Sequence, residues 1–425
     1  MQTSLPPSFR ATPQGKEADA ILRKCVHCGL CTASCPTYRL LGDERDSPRG
    51  RIYLIKDMLE TGAAHPAIRE HLDRCLLCRA CETACPSGVE YSRLFEIGRQ
   101  ELEQRSARPL LDRWVRRALR MTLPYPRRVR HLTRLARIIR PLLPRNYRDN
   151  LPLAPPAAAH GWPRRRHRRT MLLLEGCVQP VLAPAINTAA ARVFDRLGIT
   201  LVPALGCCGA LSYHLSALDE ARGFMRRNID RWWPVLERGA EALVITASGC
   251  GAMLRDYGDL LRGDPHYGAK AARVSALARD PCQVLMQEDC EAIRAATDVR
   301  VPIAFHAPCT LQNALKLAGV TEALLQALGF NLVPVQDPHL CCGSAGTYSI
   351  LQGPLSRRLL AEKVKHLEAR RPALIATANI GCYQHLKQKA RVPVKHWIEL
   401  LDPSAAPAAS ALGPRPNSAT PAAAI

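Results

Sequence analysis

Short apolar runs separated by helical patterns organise the second half of the chain. The runs have the length and composition of buried strands, and the segments between them carry apolar residues at the three- and four-residue spacing of amphipathic helices. This alternation predicts βαβαβ twice, and therefore two units with parallel sheets. The strands are predicted at 171–174, 200–205, 242–246, 302–305, 331–335 and 373–377, and the helices at 183–197, 219–237, 311–328 and 355–370.

Two further amphipathic helices are predicted ahead of these units, in an arginine-rich connector. Residues 105–169 contain 19 arginines, no lysine and two acidic residues, so most of the net charge of +22 lies here. The pattern fits a solvated connector whose apolar faces pack on neighbouring domains, or helices that lie on an anionic membrane or an acidic partner. No nucleic-acid partner is predicted, because interleaved aromatic residues are lacking. The apolar stripes are Leu111, Trp114, Val115, Ala118 and Leu119, then Leu132, Leu135, Ile138, Ile139 and Leu142.

Length and cysteine content limit the class of protein. A chain of 425 residues can form two or three domains. The first 24 residues contain no apolar stretch of signal-peptide length, and no apolar run reaches 18 residues, which predicts a cytoplasmic protein without a membrane span. Eighteen cysteines in a reducing compartment indicate metal ligation rather than disulfides.

The pattern Cys-x2-Cys-x2-Cys-x3-Cys-Pro occurs twice, with a separation of 50 residues. This is the ligand spacing of two-cluster bacterial ferredoxins, in which three thiolates hold one [4Fe–4S] cluster and the fourth binds the other. Structural zinc is disfavoured, because it needs only paired Cys-x2-Cys motifs. His27, inside the first run, is predicted to be a loop residue rather than a ligand. The predicted ligands are Cys25, Cys28, Cys31 and Cys85 for the first cluster, and Cys75, Cys78, Cys81 and Cys35 for the second.

Each βαβαβ unit also places four cysteines after its predicted strands, at positions that recur 132 to 134 residues later, which indicates a duplication. Ligands of parallel sheets gather outside the carboxyl ends of the strands. The two sets therefore predict either a further redox or iron–sulfur site or buried structural cysteines. Cys282 and Cys290 fit neither pattern and are predicted to be ordinary free cysteines. The sets are Cys177, Cys207, Cys208 and Cys250, and Cys309, Cys341, Cys342 and Cys382.

Several motifs resemble those of the iron–sulfur subunits of bacterial glycolate oxidases, over about residues 15 to 402. The resemblance implies a three-subunit complex in which flavin-binding partners oxidise glycolate to glyoxylate and this chain passes the electrons to a quinone or other acceptor. The chain has no Gly-x-Gly-x-x-Gly fingerprint of its own, in agreement with catalysis elsewhere. The motifs are the two cysteine runs and segments 38–44, 47–55, 85–89, 174–177, 341–348, 377–382 and 396–400.

Wider relatives with duplicated Cys-Cys-Gly domains leave other substrates open. They include heterodisulfide reductase and the iron–sulfur subunits of lactate-utilisation and anaerobic glycerol-3-phosphate dehydrogenase systems. An alternative from another class of protein is a zinc-stabilised protein that binds nucleic acid. In heterodisulfide-reductase-like relatives a unit ends in Cys-x2-Cys and holds a non-cubane cluster with five thiolates. Here Met253 and His385 replace that last cysteine, and Ala307 stands where relatives carry another. His306 and His385 are thus candidates either for iron ligands or for hydrogen-bonded structural residues.

The predicted architecture combines α+β and α/β parts: an α-helical two-cluster ferredoxin-like domain followed by a duplicated parallel βαβαβ Cys-Cys-Gly domain. The expected location is cytoplasmic, either free or peripheral on the cytoplasmic face of the inner membrane. The Ala- and Pro-rich tail is expected to be disordered. The predicted divisions are 1–105 for the ferredoxin domain, 106–169 for the connector, 170–300 and 301–402 for the two Cys-Cys-Gly units, and 403–425 for the tail.

Overall fold

The computed structural model describes residues 1–139, 161–294, 301–402 and 404; Leu142 of the second stripe and nearly all of the predicted tail lie outside them. The region that carries the two cysteine runs is helical. Its main helices begin at polar caps followed by proline: Thr12 and Ser47 accept hydrogen bonds from the N–H groups of Gly15 and Gly50. The helices are Pro7–Arg10, Pro13–Lys24, Leu30–Ala33, Pro36–Leu41, Pro48–Thr61, Pro66–Asp73, Ala80–Thr83 and Tyr91–Arg105, with a 3₁₀ turn at Glu44–Asp46.

The connector forms two helices, Leu110–Thr122 and Pro126–Ile139, as its pattern predicts. The first helix turns arginine toward the protein: Arg116 is buried and pairs with Asp73 at 3.2 Å. Its apolar stripe faces outward instead, since Leu111 is 76% exposed and Trp114 is 66% exposed. At these positions the expectation of apolar faces packed on neighbouring domains is wrong.

Two four-stranded parallel sheets follow, with the same strand order. The first is β2-β1-β3-β4 and the second is β6-β5-β7-β8, so the duplication predicted from the cysteines is present in the topology. The outer strands β4 and β8 were not predicted, because Arg279 in one and Lys395 and His396 in the other leave no continuous apolar run. The strands are β1 Arg169–Gly176, β2 Ile199–Leu205, β3 Leu243–Val244, β4 Ala278–Arg279, β5 Ile303–His306, β6 Leu332–Val333, β7 Leu374–Thr377 and β8 Val394–His396.

Helices cover both sheets. The predicted helix at 311–328 is divided into a π-helix, Thr310–Ala314, and an α-helix, Val320–Ala327, because Lys316 and Gly319 between them adopt left-handed conformations. The other helices are Gln179–Leu182, Ala185–Arg196, Ala210–His214, Leu218–Glu237, Ser248–Arg255, Tyr257–Leu260, Gly268–Leu277, Pro281–Leu285, Glu291–Arg294, Tyr348–Leu351, Gly353–Glu368 and Ile380–Leu386, with a 3₁₀ helix at Trp397–Leu401.

The two sheet units share one hydrophobic core. Phe194 of the first unit and Phe305 and Trp397 of the second belong to the same buried cluster. Arg192 also forms an ion pair with the buried Asp402, which ties the 3₁₀ helix Trp397–Leu401 to the first unit. The units are therefore packed as one body. Within the described part of the chain, every helix is too short or too polar to cross a membrane.

Candidate metal centres

The first predicted ligand set lines one cavity. Its walls are otherwise largely apolar, formed by residues such as Pro48, Ile52 and Val89, while Cys81 and Arg49 also reach it. Burial raises the pKa of Cys31 to about 11. A free thiol is neutral there, and a bound metal would be what keeps it as a thiolate. The four predicted ligands that meet at this cavity are Cys25, Cys28, Cys31 and Cys85.

The loops of the two cysteine runs share an unusual backbone. His27 and Gly29 have φ angles of 58° and 82°, and Leu77 and Arg79, each 50 positions later, have φ angles of 50° and 58°. Three of these four residues are not glycine, so the loops hold a conformation that side chains disfavour, as is common at functional sites. Each loop thereby leads into a short helix that begins just before the third cysteine of its run.

The second predicted ligand set is buried more deeply. Burial raises the pKa of Cys81 well above its ordinary value, and the nearby sulfurs of Cys78, Cys75 and Cys35 raise it further. Cys35 comes from the first run and ends the loop before the helix that begins at Pro36. The fold therefore brings the fourth cysteine of the first run to the first three cysteines of the second run, as the crossed ligand pattern requires.

A buried polar network, which sequence reasoning missed, supports the second set. Arg51 is 1% exposed and donates hydrogen bonds to Asp46 at 3.1 Å and to Thr37 at 3.1 Å, with one guanidinium nitrogen 4.0 Å from the Cys35 sulfur. The Tyr91 hydroxyl donates to the Cys75 sulfur at 3.5 Å. The only available signal was that Arg51 falls in the segment 47–55 that carried the family resemblance, which indicates importance but no role.

The charges around Arg51 have a clear electrostatic effect. Burial alone would lower the pKa of Arg51, but the nearby Cys75, Tyr91, Cys35 and Asp46 raise it overall. Arg51 therefore remains a fixed cation beside two of the predicted ligands of the second cluster. Hydrogen bonds and charges of this kind stabilise thiolates and set the reduction potential of a cluster.

In the second Cys-Cys-Gly unit the four thiols converge, together with a histidine. The Cys309 and Cys341 sulfurs lie 3.8 Å apart. Donor atoms of His306, Cys342 and Cys382 all lie within 4.8 Å of one another, and the three residues are buried. Gly343 follows the cysteine pair with a φ of 85°, and a Cβ there would lie 2.7 Å from the Ser356 carbonyl oxygen, so only glycine fits this turn.

The two candidate histidines of this unit differ in their contacts. The His385 Nε2 atom lies 3.1 Å from the hydroxyl of the buried Ser356, which fits a structural hydrogen bond. The His306 Nδ1 atom lies 3.0 Å from the Thr377 hydroxyl, but its Nε2 atom is buried and has no hydrogen-bond partner among the described residues. Burial, with the charge of Lys363, lowers the pKa of His306 well below its ordinary value. The ring is therefore neutral, which is the form that binds metals.

The first Cys-Cys-Gly unit gathers its four thiols, and no histidine of the described residues joins them in a metal-binding group. Hydrogen bonding to Cys207 and Cys250, together with burial, raises the pKa of the Cys208 thiol well above its ordinary value. Cys177 is also a direct neighbour of Cys207. The backbone of the pair is held by the Tyr257 hydroxyl, which donates to the Cys208 carbonyl oxygen at 2.9 Å.

The second Cys-Cys-Gly unit packs against the second ferredoxin ligand set. Cys78, Cys309 and Cys341 contact one apolar cluster that also contains Leu76. Asn313 donates a hydrogen bond to the Cys78 carbonyl oxygen at 2.9 Å. Burial, then the nearby Cys309 sulfur, raises the pKa of Cys78 well above its ordinary value. The two predicted kinds of site are thus neighbours in space.

Three further residues lie outside the predicted ligand sets. Cys282 is buried at the start of the helix Pro281–Leu285, and Cys290 donates to the Leu285 carbonyl oxygen at 3.3 Å. His27 is at the first cavity, with its ring 6.3 Å from that of Tyr53.

The fold and these cysteine sets define the class: an iron–sulfur protein with a two-cluster ferredoxin-type region and a duplicated cysteine-rich domain. The model of the 4Fe-4S dicluster domain matches residues 21–89, and the model of the cysteine-rich domain matches 171–255 and 303–387. The chain is 51% identical over 404 residues to the glycolate oxidase iron-sulfur subunit of Escherichia coli (strain K12), covering 95% of this chain and 98% of that protein. The chain belongs to the family of glycolate oxidase iron–sulfur subunits.

Two further relatives match at lower identity or over less of the chain. The probable glycolate oxidase iron-sulfur subunit of Bacillus subtilis (strain 168) is 29% identical over 86% of this chain and 88% of its own length. Lactate utilization protein A of Geobacillus kaustophilus (strain HTA426) is 30% identical, over 53% of this chain and 95% of that protein. These comparisons confirm the family resemblance and the predicted fold class.

Proposed function

We propose that this chain is the electron-transfer subunit of a glycolate oxidase complex and holds two [4Fe–4S] clusters. Flavin-containing partner subunits would oxidise glycolate to glyoxylate, a reaction that releases two electrons and two protons. The clusters, when bound, supply one-electron carriers. This chain would accept the two electrons one at a time and pass them to a quinone or other acceptor.

The placement of the N-terminal cysteines carries this proposal. Cys25, Cys28, Cys31 and Cys85 meet at one cavity, and Cys35 joins Cys75, Cys78 and Cys81. Four thiols at each place fit the ligand requirement of a cubane cluster. Burial of Cys35 and Cys81 would shield the second set from water, whereas the exposed Cys28 leaves the first set accessible to a partner.

The Cys-Cys-Gly units are proposed to dock the flavin subunits and to provide a further iron–sulfur site. Support comes from the convergence of Cys177, Cys207, Cys208 and Cys250 in one unit and of Cys309, Cys341, Cys342 and Cys382 in the other.

The location of the complex is proposed to be the cytoplasmic face of the inner membrane, bound peripherally. The outward apolar stripe around Leu111 and Trp114 supports this placement. Exposed arginines beside it, such as Arg113 and Arg117, suit anionic headgroups.

The test is anaerobic co-expression with the partner subunits, followed by metal analysis and electron paramagnetic resonance. Glycolate should reduce two cluster signals, and the wild-type chain should contain at least about eight irons. Cys85→Ser should lose one signal and Cys35→Ser the other, because each replaces a ligand of a different cluster. The control Cys290→Ser, at a cysteine outside both sets, should keep both signals.

Three outcomes would contradict the proposal in different ways. Zinc in place of iron would remove the redox function and leave the zinc-stabilised alternative. Retention of both signals in Cys35→Ser and Cys85→Ser would exclude the crossed ligands. Reduction of the cluster signals by lactate but not by glycolate would keep the electron-transfer role and change the substrate. Lactate is the substrate to compare because the chain is partly similar to lactate utilization protein A.

A further inference from the structure

The two Cys-Cys-Gly units are duplicated but not equivalent at their metal-ligating positions. His306 ends strand β5, and the residue 132 positions earlier, near the end of β1, is Leu174. His385 likewise corresponds to Met253. At these two positions the first unit therefore has apolar side chains beside its four thiols, whereas the second unit has imidazoles.

The imidazole of His306 is oriented as a metal ligand would be. Its Nδ1 atom is engaged by the Thr377 hydroxyl at 3.0 Å, an interaction that fixes the ring, and metal-bound histidines usually hydrogen-bond through their second nitrogen in this way. Its Nε2 atom is buried, and no residue in the described part of the chain bonds to it, which costs free energy unless something binds there. A ring nitrogen of His306 lies within 4.8 Å of the Cys342 and Cys382 sulfurs.

We propose that His306 is a ligand of an iron–sulfur centre in the second Cys-Cys-Gly unit, a centre that therefore has mixed nitrogen and sulfur ligation. This inference rests on the proposed function and deepens it, because it assigns the third centre to one unit. A metal with bonds of about 2.0–2.3 Å would bring its ligand atoms to about 3.5 Å from one another, so only a small closure of the three donors is needed.

The number of donors favours iron over a single zinc ion. A closed structural zinc site takes four ligands. The second unit provides five in a connected group, because Cys341 neighbours both Cys309, at 3.8 Å, and Cys342. Five donors spread in this way suit a centre with more than one metal. Its position beside Cys78, a predicted ligand of the second cubane, places it where electrons could be exchanged.

The test uses the full chain, reconstituted anaerobically with iron and sulfide, and compares His306→Ala and His306→Cys with the wild type. The wild type should contain more than about eight irons and show a third signal with nitrogen coupling that responds to 15N-histidine labelling. His306→Ala should lose the third signal and the excess iron while keeping both cubane signals. His306→Cys should keep a third signal without the nitrogen coupling.

Two control variants make the result specific. His385→Ala removes the other buried histidine of this unit and should keep the nitrogen coupling, because His385 is bonded to Ser356. Cys208→Ser alters the first unit and should also keep the nitrogen coupling of the third signal. An unchanged third signal in His306→Ala, a bound zinc, or no metal beyond the two cubanes would overturn this inference. Absence of the two cubane signals from the wild-type chain would instead overturn the proposed function.

Discussion

The guanidinium of Arg51 places a positive charge beside the predicted ligands of the second cluster, which should make that cluster easier to reduce. We expect Arg51→Met to lower the midpoint potential of one cluster signal in a redox titration. If the interaction is about 1.4 kcal/mol stronger in the reduced state, the shift is about 59 mV. Tyr91→Phe, which removes only the hydroxyl that donates to Cys75, should lower the same potential by less.

The matched control for this prediction is Arg49→Met, because Arg49 lines the cavity of the first ligand set. Arg49→Met should leave the midpoint potential of the second cluster unchanged, and any shift should be in the signal of the first cluster. Arg51→Met also removes one partner of Asp46, which keeps Arg74 at 3.1 Å and His71 at 3.1 Å. If the Arg51→Met protein folds poorly, Tyr91→Phe still provides the test. Equal shifts of both signals in Tyr91→Phe would contradict the assignment.

At the residue scale, spacing along the chain predicted which cysteines the fold brings together. Cys35 could be assigned to the second set because the ligand pattern itself implies the crossing. Arg51 and Tyr91 could not be found, because their roles arise only when the two runs pack together and bury them. His306 was left between two interpretations, since its unpartnered Nε2 atom is a property of the fold.

At the scale of elements, the connector helices reverse the usual arrangement of an amphipathic helix. Arg116 and Arg120 form ion pairs with Asp112 and Glu220, while the apolar stripe is left in solvent. Buried leucine and tryptophan side chains each contribute about 2 kcal/mol on removal from water, so such a stripe can bind an apolar surface. Periodicity predicted these helices but could not tell which face points inward.

We expect the purified chain to sediment with vesicles that contain anionic phospholipid and less with neutral vesicles. Leu111→Glu combined with Trp114→Glu should weaken this binding by about tenfold or more, because it removes apolar contact and adds negative charge. Ile350→Glu is the control, since Ile350 is 56% exposed but distant in sequence from the connector. Unchanged binding in the double variant, or equal weakening by the control, would favour a protein partner for the stripe.

At the scale of the whole molecule, the two sheet units are joined through groups that the sequence presented as separate motifs. His396, in the segment 396–400, donates through Nε2 to the carbonyl oxygen of Thr246 in the first unit at 2.8 Å. The duplication was readable from matching cysteines, but the shared core was not, because residues such as Trp397 find their partners only across the two units.

The contact of His396 predicts a pH dependence of stability. Its Nδ1 atom accepts a hydrogen bond from the Ile398 N–H at 3.3 Å, so a proton at Nδ1 would displace this bond. Burial lowers the pKa of His396 to about 4, compared with about 6.5 when unfolded. The unfolded chain therefore binds this proton first, and the stability present above pH 6.5 is lost as the pH falls toward 4, by about 3 kcal/mol at pH 4.

This loss should appear as a lower thermal transition midpoint at pH 5.5 than at pH 7.5 in anaerobic scanning calorimetry. His396→Gln, which keeps a donor toward Thr246 but cannot titrate, should be less stable at pH 7.5 and show a smaller decline on acidification. The control His65→Gln, at an exposed histidine, should decline as the wild type does. Other buried histidines and the clusters also respond to acid, so the difference between the two variants measures His396. Identical declines in both would mean that the contact with Thr246 does not couple folding to pH.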